Sequence, residues 1–313
     1  MKKTLALLVL TALATFAQAQ TAVAIGMSGW TGFAPLTLAK EAGLFKKHGL
    51  DVKILKIPQK DRHLALASGD IQCAATTVET WVVWNANGIA ATQIFQLDKS
   101  YGADGMVVRP GITKIADLKG KTVAASAPGT APYFTLAWFL KKNGLSVKDV
   151  SVVNLEPQAA ANAMIAGTSG LDAAMTYEPY LSAVRAKPEA GAIIATTLDY
   201  PMIMDTVGCT PKFLAANPKV AKALADGYFD AVAMIQAEPQ KAFEIMGADV
   251  KQTGEKFEAS QKYLRWQDRA ANQKFFAGEH AAFSKEAAEL LLEAGIIKAI
   301  PDLSKLADTQ YIK

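Results

Sequence analysis

The chain has 313 residues, 51% of them hydrophobic and 20% charged, with a formal net charge of +4 at pH 7. That balance excludes an intrinsically disordered chain, and because the lysines and arginines form no run longer than two, a nucleic-acid-binding face is not expected. The few histidines, His48, His63 and His280, stand far apart, without the helical spacing a metal site uses, so no metal and no cofactor is expected.

Met1 to Ala19 reads as a cleavable export signal. Lys2 and Lys3 precede an apolar stretch from Leu5 to Phe16, and Ala17-Gln18-Ala19 supplies the small-x-small pattern of a cleavage site. The stretch is too short for a bilayer, which needs about 20 residues, and no cysteine follows to accept a lipid. A mature protein free in the periplasm is the expectation. Its length of about 294 residues exceeds what one core usually organises, so two lobes are expected. An oxidising compartment permits one disulfide between Cys73 and Cys209; two separate buried thiols fit the sequence equally well.

In chain order, β-rich runs alternate with helical runs closed by glycine, the pattern of sheets with helical crossovers. A strand from Val23 leads into the turn glycines Gly26, Gly29 and Gly32, and then a helix with Pro35 in its first turn and Gly43 at its C-cap. There follow a strand over Leu50 to Ile57, a helix over Asp61 to Ser68, a strand over Ile71 to Thr76, a helix over Val78 to Asn87 and a strand near Ala90 to Leu97. Ser100 to Gly105 reads as a polar connection leaving the first lobe. The alternation restarts at Met106 and runs to about Tyr200, a unit of its own. After Tyr200-Pro201 an apolar strand over Met202 to Gly208 precedes a mostly helical tail, which has no sheet of its own and is expected to pack on the first lobe. The domain reading is therefore 20–104 with 201–313, interrupted by 105–200.

Several chemistries fail on spacing. Leu118-Lys119-Gly120-Lys121-Thr122 lacks the first glycine of a phosphate-binding loop, and the glycines from Gly26 to Gly32 do not match the dinucleotide fingerprint. No serine sits in a Gly-x-Ser-x-Gly elbow, so no enzyme activity is expected. What remains is a set of loops that each follow a strand and open a helix, which an open sheet places on one ligand-facing edge. They are Ser28-Gly29-Trp30-Thr31-Gly32, Thr76-Thr77-Val78-Glu79, Ser126-Ala127-Pro128-Gly129-Thr130 and Thr176-Tyr177-Glu178. Their N–H groups and hydroxyls are suited to oxyanions. Ser28, Thr77, Ser126 and Thr176 are equally suited to capping their helices. Trp30, Tyr133 and Tyr177 fit cleft walls or core aromatics with satisfied polar atoms, and their place beside glycine or proline turns favours the cleft; Trp81 and Trp84 are read as packing residues.

A longer run carries a resemblance. Gly32-Phe33-Ala34-Pro35-Leu36-Thr37-Leu38-Ala39-Lys40-Glu41-Ala42-Gly43-Leu44-Phe45-Lys46-Lys47-His48-Gly49-Leu50-Asp51-Val52 resembles the opening of the nitrate, sulfonate and taurine periplasmic binding proteins of ABC importers. In the same order, Ala65-Leu66-Ala67-Ser68-Gly69-Asp70-Ile71-Gln72, Asp117-Leu118-Lys119-Gly120-Lys121-Thr122-Val123-Ala124 and Tyr177-Glu178-Pro179 are similar to later family segments. The resemblance implies a type II periplasmic binding fold: two doubly wound α/β lobes joined by a hinge with the ligand in the cleft. It also implies a monomer that delivers its ligand to a permease with its ATPase. Binders of pyrimidine thiamine precursors belong to the same family; the cysteine-rich motif of the yeast enzymes that make that pyrimidine is absent.

Acidic residues bear on the ligand. Glu79, Glu178 and Asp205 fall near loops that line the cleft in the family, where a carboxylate repels a bare anion and favours an ammonium or amidine; Glu79 is equally suited to stabilising a helix N-terminus, and Glu178 to being a turn residue of the family. Sulfonates and amino-sulfonates are the first expectation, a pyrimidine or cationic nitrogen compound the alternative.

Overall fold

The computed structural model describes residues 20–313; the predicted leader over Met1–Ala19 lies outside the described residues. Two sheets organise the chain. The first has six strands in the order β11-β4-β10-β3-β1-β2: β1 (Thr21–Met27), β2 (Leu50–Lys56), β3 (Cys73–Thr77), β4 (Thr92–Ser100), β10 (Met204–Cys209) and β11 (Leu264–Trp266). The second has five in the order β7-β6-β8-β5-β9: β5 (Asp104–Val108), β6 (Thr122–Ala124), β7 (Ser151–Val153), β8 (Ala173–Tyr177) and β9 (Ala192–Thr196).

Most of these elements sit where hydrophobic periodicity and glycine punctuation place them, because each crossover is local and short. In the first layer α1 (Ala34–Glu41) and α2 (Leu44–Lys47) lead to β2, α3 (Gln59–Ser68) to β3, and α4 (Val78–Ala86) to β4. Gly43 joins α1 to α2 with φ +72°, a left-handed conformation that glycine adopts without strain. In the second layer come α5 (Ala131–Lys142), α6 (Pro157–Ile165) and α7 (Tyr180–Arg185). The tail holds α8 (Pro211–Ala216), α9 (Val220–Ala237), α10 (Pro239–Asp249), α11 (Gly254–Gln261), α12 (Arg269–Lys274) and α13 (His280–Glu293).

The structure refines the expected chain path in several places. Ser100 to Gly105 is not a loop: β4 runs to Ser100 and β5 begins at Asp104, so only residues 101–103 connect the sheets. Both sheets are mixed. β10 inserts antiparallel between β3 and β4, and β5 lies antiparallel to both β8 and β9. The tail is mostly helical as expected, but it contributes one short strand, β11, which extends the first sheet beside β4. It does not pack on the first layer alone. Phe283 of α13 meets Phe134 and Trp138 of α5 at ring-centroid distances of 6.3 and 6.1 Å, and Glu293 and Glu286 pair with Lys141 and Lys142. Apolar residues of α4, α5 and α13 share one buried cluster, so the tail packs where it covers apolar area of both layers.

Cys73 and Cys209 form a disulfide. They are register partners on β3 and β10, with Cα atoms 4.0 Å apart. The bond spans 136 residues of sequence, so it ties the returning strand to the first sheet before the tail begins.

Candidate functional site

A small cavity opens between the C-terminal edges of the two sheets, lined by Ser28, Trp30, Phe33, Gln59, Arg62, Thr76, Thr77, Asp104, Ala131, Tyr177, Ile203 and Asp205. It leaves about 20 Å³ of room for a water-sized molecule, enough for roughly one or two waters. Any larger guest requires the walls to part.

Register explains how distant residues meet here. Antiparallel pairing of β10 puts Asp205 opposite Thr77 on one side and Asp98 on the other. On the second sheet Asp104 stands opposite Tyr177. Trp30 donates its indole N–H to Asp98 Oδ1 at 3.2 Å and meets Tyr177 edge to face at 5.4 Å. Glycine makes this approach possible: a Cβ on Gly32 would lie 2.2 Å from Trp30 Nε1 and 2.4 Å from Asp98 Cγ. Gly26, expected in a turn, belongs to β1; a Cβ there would lie 3.2 Å from Arg62 Cγ and 2.6 Å from Ile71 Cδ1. Both glycines thus make room for buried charge.

Asp104 and Asp205 line the cavity, and Asp98 and Glu79 lie behind its wall. Asp98, Asp104, Asp205 and Glu79 are all buried, and Oδ2 of Asp98, Oδ2 of Asp104 and Oε2 of Glu79 have no hydrogen-bond partner. Burial pushes the Asp104 carboxyl up to about 7 and that of Glu79 up to about 8. Desolvation also raises Asp98 and Asp205, helped in Asp205 by the like charges of Asp98, Asp104 and Glu79. Arg62 is the buried counter-charge, lowered to about 10 by desolvation. Nε and Nη2 donate to Ile57 O and Nη1 to Ala75 O. Nη1 and Nη2 each retain one further N–H.

The residues expected from sequence separate into groups. Ser28, Trp30, Thr77, Tyr177 and Asp205 line the cavity. Thr31 is buried just behind it, with Oγ1 unpartnered, and its N–H donates to Glu178 O at 3.4 Å across the two layers. Glu79 accepts from the Thr77 hydroxyl, while Val78 packs into the core. Glu178 does not reach the cavity: it is fully buried and ion-paired with Arg185, and its carboxylate also accepts from Ser182 N at 3.2 Å. Desolvation raises its carboxyl against the pull of Arg185. Ser126 donates to Leu155 O and Thr130 to Ala127 O, at 3.4 and 2.7 Å. Gly129 and Thr130 line a separate outer groove, and Tyr133 is half-buried away from the inner cavity. Thr77 and Thr130 head α4 and α5 without making side-chain caps.

Gln59, Arg62, Asp98 and Asp104 escaped the sequence reading. Arg62 left a signal: it lies one turn before Leu66 on the buried face of α3, an unusual place for an arginine. Asp98 likewise follows a buried strand segment, Ile94-Phe95-Gln96-Leu97. Asp104 left none. Among the described residues no three His, Cys, Asp or Glu side chains are grouped to hold a metal ion, and no helix is long and apolar enough to cross a membrane.

This architecture, two mixed α/β layers facing a buried polar cavity, is that of the periplasmic binding proteins. It superposes on the alkanesulfonate-binding protein of Xanthomonas axonopodis pv. citri bound to MOPS with a TM-score of 0.79, at 16% identity, covering 94% of this chain and 100% of that one. The chain belongs to the NMT1/THI5 like family, whose model matches residues 30–242. It is 28% identical over 213 residues to the taurine-binding periplasmic protein of Escherichia coli (strain K12), covering 65% of this chain and 61% of that protein. The fold also serves catalysis, since a desulfurization enzyme superposes with a TM-score of 0.66 at 13% identity, covering 94% of this chain and 98% of that one.

Proposed function

We propose that this chain is a periplasmic solute receptor that captures a small nitrogen compound rich in N–H donors, an aminopyrimidine or a compact cation, and delivers it to the permease of an ABC importer. The observation that carries the reading is the pair Asp104 and Asp205 on the cavity lining, with Asp104 Oδ2 left without a partner. A buried carboxylate without a partner is costly, and a guest that donates to it recovers that cost. A bare anion would meet several buried acids with a single arginine to offset them. Trp30 and Tyr177 add aromatic faces suited to a flat ring or a cation. Transport and export rest on the family and on the predicted leader, with no catalytic acid–base pair required.

Arg62 favours a second reading, a zwitterion such as an amino-sulfonate, whose anionic end would take the remaining guanidinium N–H groups. A thermal-shift panel of nitrate, alkanesulfonates, taurine, aminopyrimidines and small amines separates the readings, because a ligand at a hundred times its Kd stabilises the fold by about 2.7 kcal/mol. Aminopyrimidines or amines are expected to raise Tm. Taurine alone would transfer the assignment to the zwitterion, and a response confined to nitrate or plain alkanesulfonates would overturn both.

A further inference from the structure

We infer that Glu79 sets the hydrogen-bond polarity of the cavity wall: ionised, it makes the Thr77 hydroxyl an acceptor for the guest, and protonated, a donor. The inference rests on the inner cavity being the ligand site. Glu79 is a positioning residue, since it lies behind the wall and acts through Thr77, which lines the cavity.

The bonds behind the wall run in one direction. Ala131 N can only donate, so its bond of 3.2 Å fixes the amide oxygen of Gln59 toward α5 and the amide nitrogen toward β3 and α4. That nitrogen donates to Thr76 Oγ1 at 2.9 Å and to Thr80 Oγ1 at 2.8 Å. Thr80 is fully buried, and among the described residues its hydroxyl has one other partner, Thr77 Oγ1 at 2.8 Å. The Thr80 hydrogen therefore goes to Thr77.

A hydroxyl has one hydrogen and two lone pairs to place. With Glu79 ionised, the Thr77 hydrogen lies on Glu79 Oε1 and Thr80 takes one lone pair, so the other lone pair is left for the cavity. A proton on Glu79 finds no partner at Oε2, and on Oε1 it is donated to Thr77. Both lone pairs are then filled, and the Thr77 hydrogen turns to the cavity. A guest N–H suits the first state and a guest oxygen the second; the mismatched guest leaves a buried polar group unpaired.

The surroundings put this change within reach. Glu79 is buried in the first turn of α4 and faces the acids Asp104 of β5 and Asp205 of β10. Desolvation, with Asp104 adding to it, raises its carboxyl to about 8. The proton is gained or lost close to neutral pH.

The test compares 4-aminopyrimidine, which offers N–H groups, with 4-methoxypyrimidine, which offers only acceptors. Calorimetry gives both affinities from about pH 7 to about pH 9 in the parent, Glu79→Gln, Thr77→Val and Thr77→Ser. Preference for the amino probe is expected to rise about tenfold through a step near pH 8 in the parent and in Thr77→Ser. Glu79→Gln and Thr77→Val are expected to lose that step and to keep only the contribution of Asp104 near 7. A parent without the step overturns the inference, and a step of full size in Thr77→Val does so too, because Glu79 would then act by its charge alone. A second measurement needs no guest: the carboxyl carbon resonance of Glu79 is titrated in the parent and in Thr77→Val. Loss of the charge-assisted bond is expected to raise the midpoint, and an unchanged or lower midpoint overturns the chain of bonds. If neither probe binds, the receptor reading fails, while this titration still decides the Glu79–Thr77 pair.

Discussion

Asp104 and Glu178 are close neighbours with opposite fates. Asp104 pairs in register with Tyr177, the residue before Glu178, yet Glu178 is satisfied by Arg185 and Ser182 while Asp104 keeps a bare Oδ2 on the cavity wall. Both lie within the polar edge of the second layer. The difference shows that the acidic residue most conspicuous in the sequence motif is satisfied in the turn into α7, whereas the acids on the cavity lining, Asp104 and Asp205, sit at the starts of β5 and β10. A buried charge with a built-in partner supports the fold; a buried charge without one is held for a guest or a proton.

Breaking the satisfied pair gives the largest expected effect. Arg185→Ala leaves Glu178 buried and unpaired, with a loss of about 3–5 kcal/mol in denaturant unfolding. If stability holds within 1 kcal/mol, Glu178 is protonated in the native state and the contrast disappears. Asp205→Asn sharpens the other side: affinity for a cationic or aminopyrimidine ligand, read by calorimetry, is expected to fall about a hundredfold. The unliganded melting temperature is expected to hold or rise, since the change relieves repulsion from Asp98, Asp104 and Glu79. A fall in stability with no loss of affinity would make Asp205 structural.

Per unit of pH the expected effect is the smallest, though it accumulates over a wide range. Asp104 near 7 and Glu79 near 8 bind protons in the folded state that the unfolded chain, with carboxyls near 4, has already released. Between about pH 4 and pH 8 the native state therefore holds more protons, and the unliganded protein loses stability as pH rises, on the order of 1 kcal/mol per unit. Cation affinity moves the opposite way, strengthening as these carboxyls ionise. Melting curves across that range, with and without ligand, check both signs; a stability maximum at pH 8 would contradict the buried-acid account.

The local alternation of strand and helix, the glycine at the end of α1 and the motif order were legible in the chain because each depends on neighbours a few residues away. So were the loops carrying Ser28, Trp30, Thr77 and Tyr177, since turns that follow strands face one edge of a sheet. Whether a charged side chain on such an edge meets a partner is not a local property. The sequence presents Glu178 as a cleft residue because it does not show Arg185, at the end of α7, folding back on it. Tertiary structure alone decided that β10 returns antiparallel between β3 and β4, bringing Asp205 beside Thr77 and Asp98 and joining Cys209 to Cys73. That pairing is fixed by the burial of a whole strand among partners more than a hundred residues away, and it makes separate acids into one site.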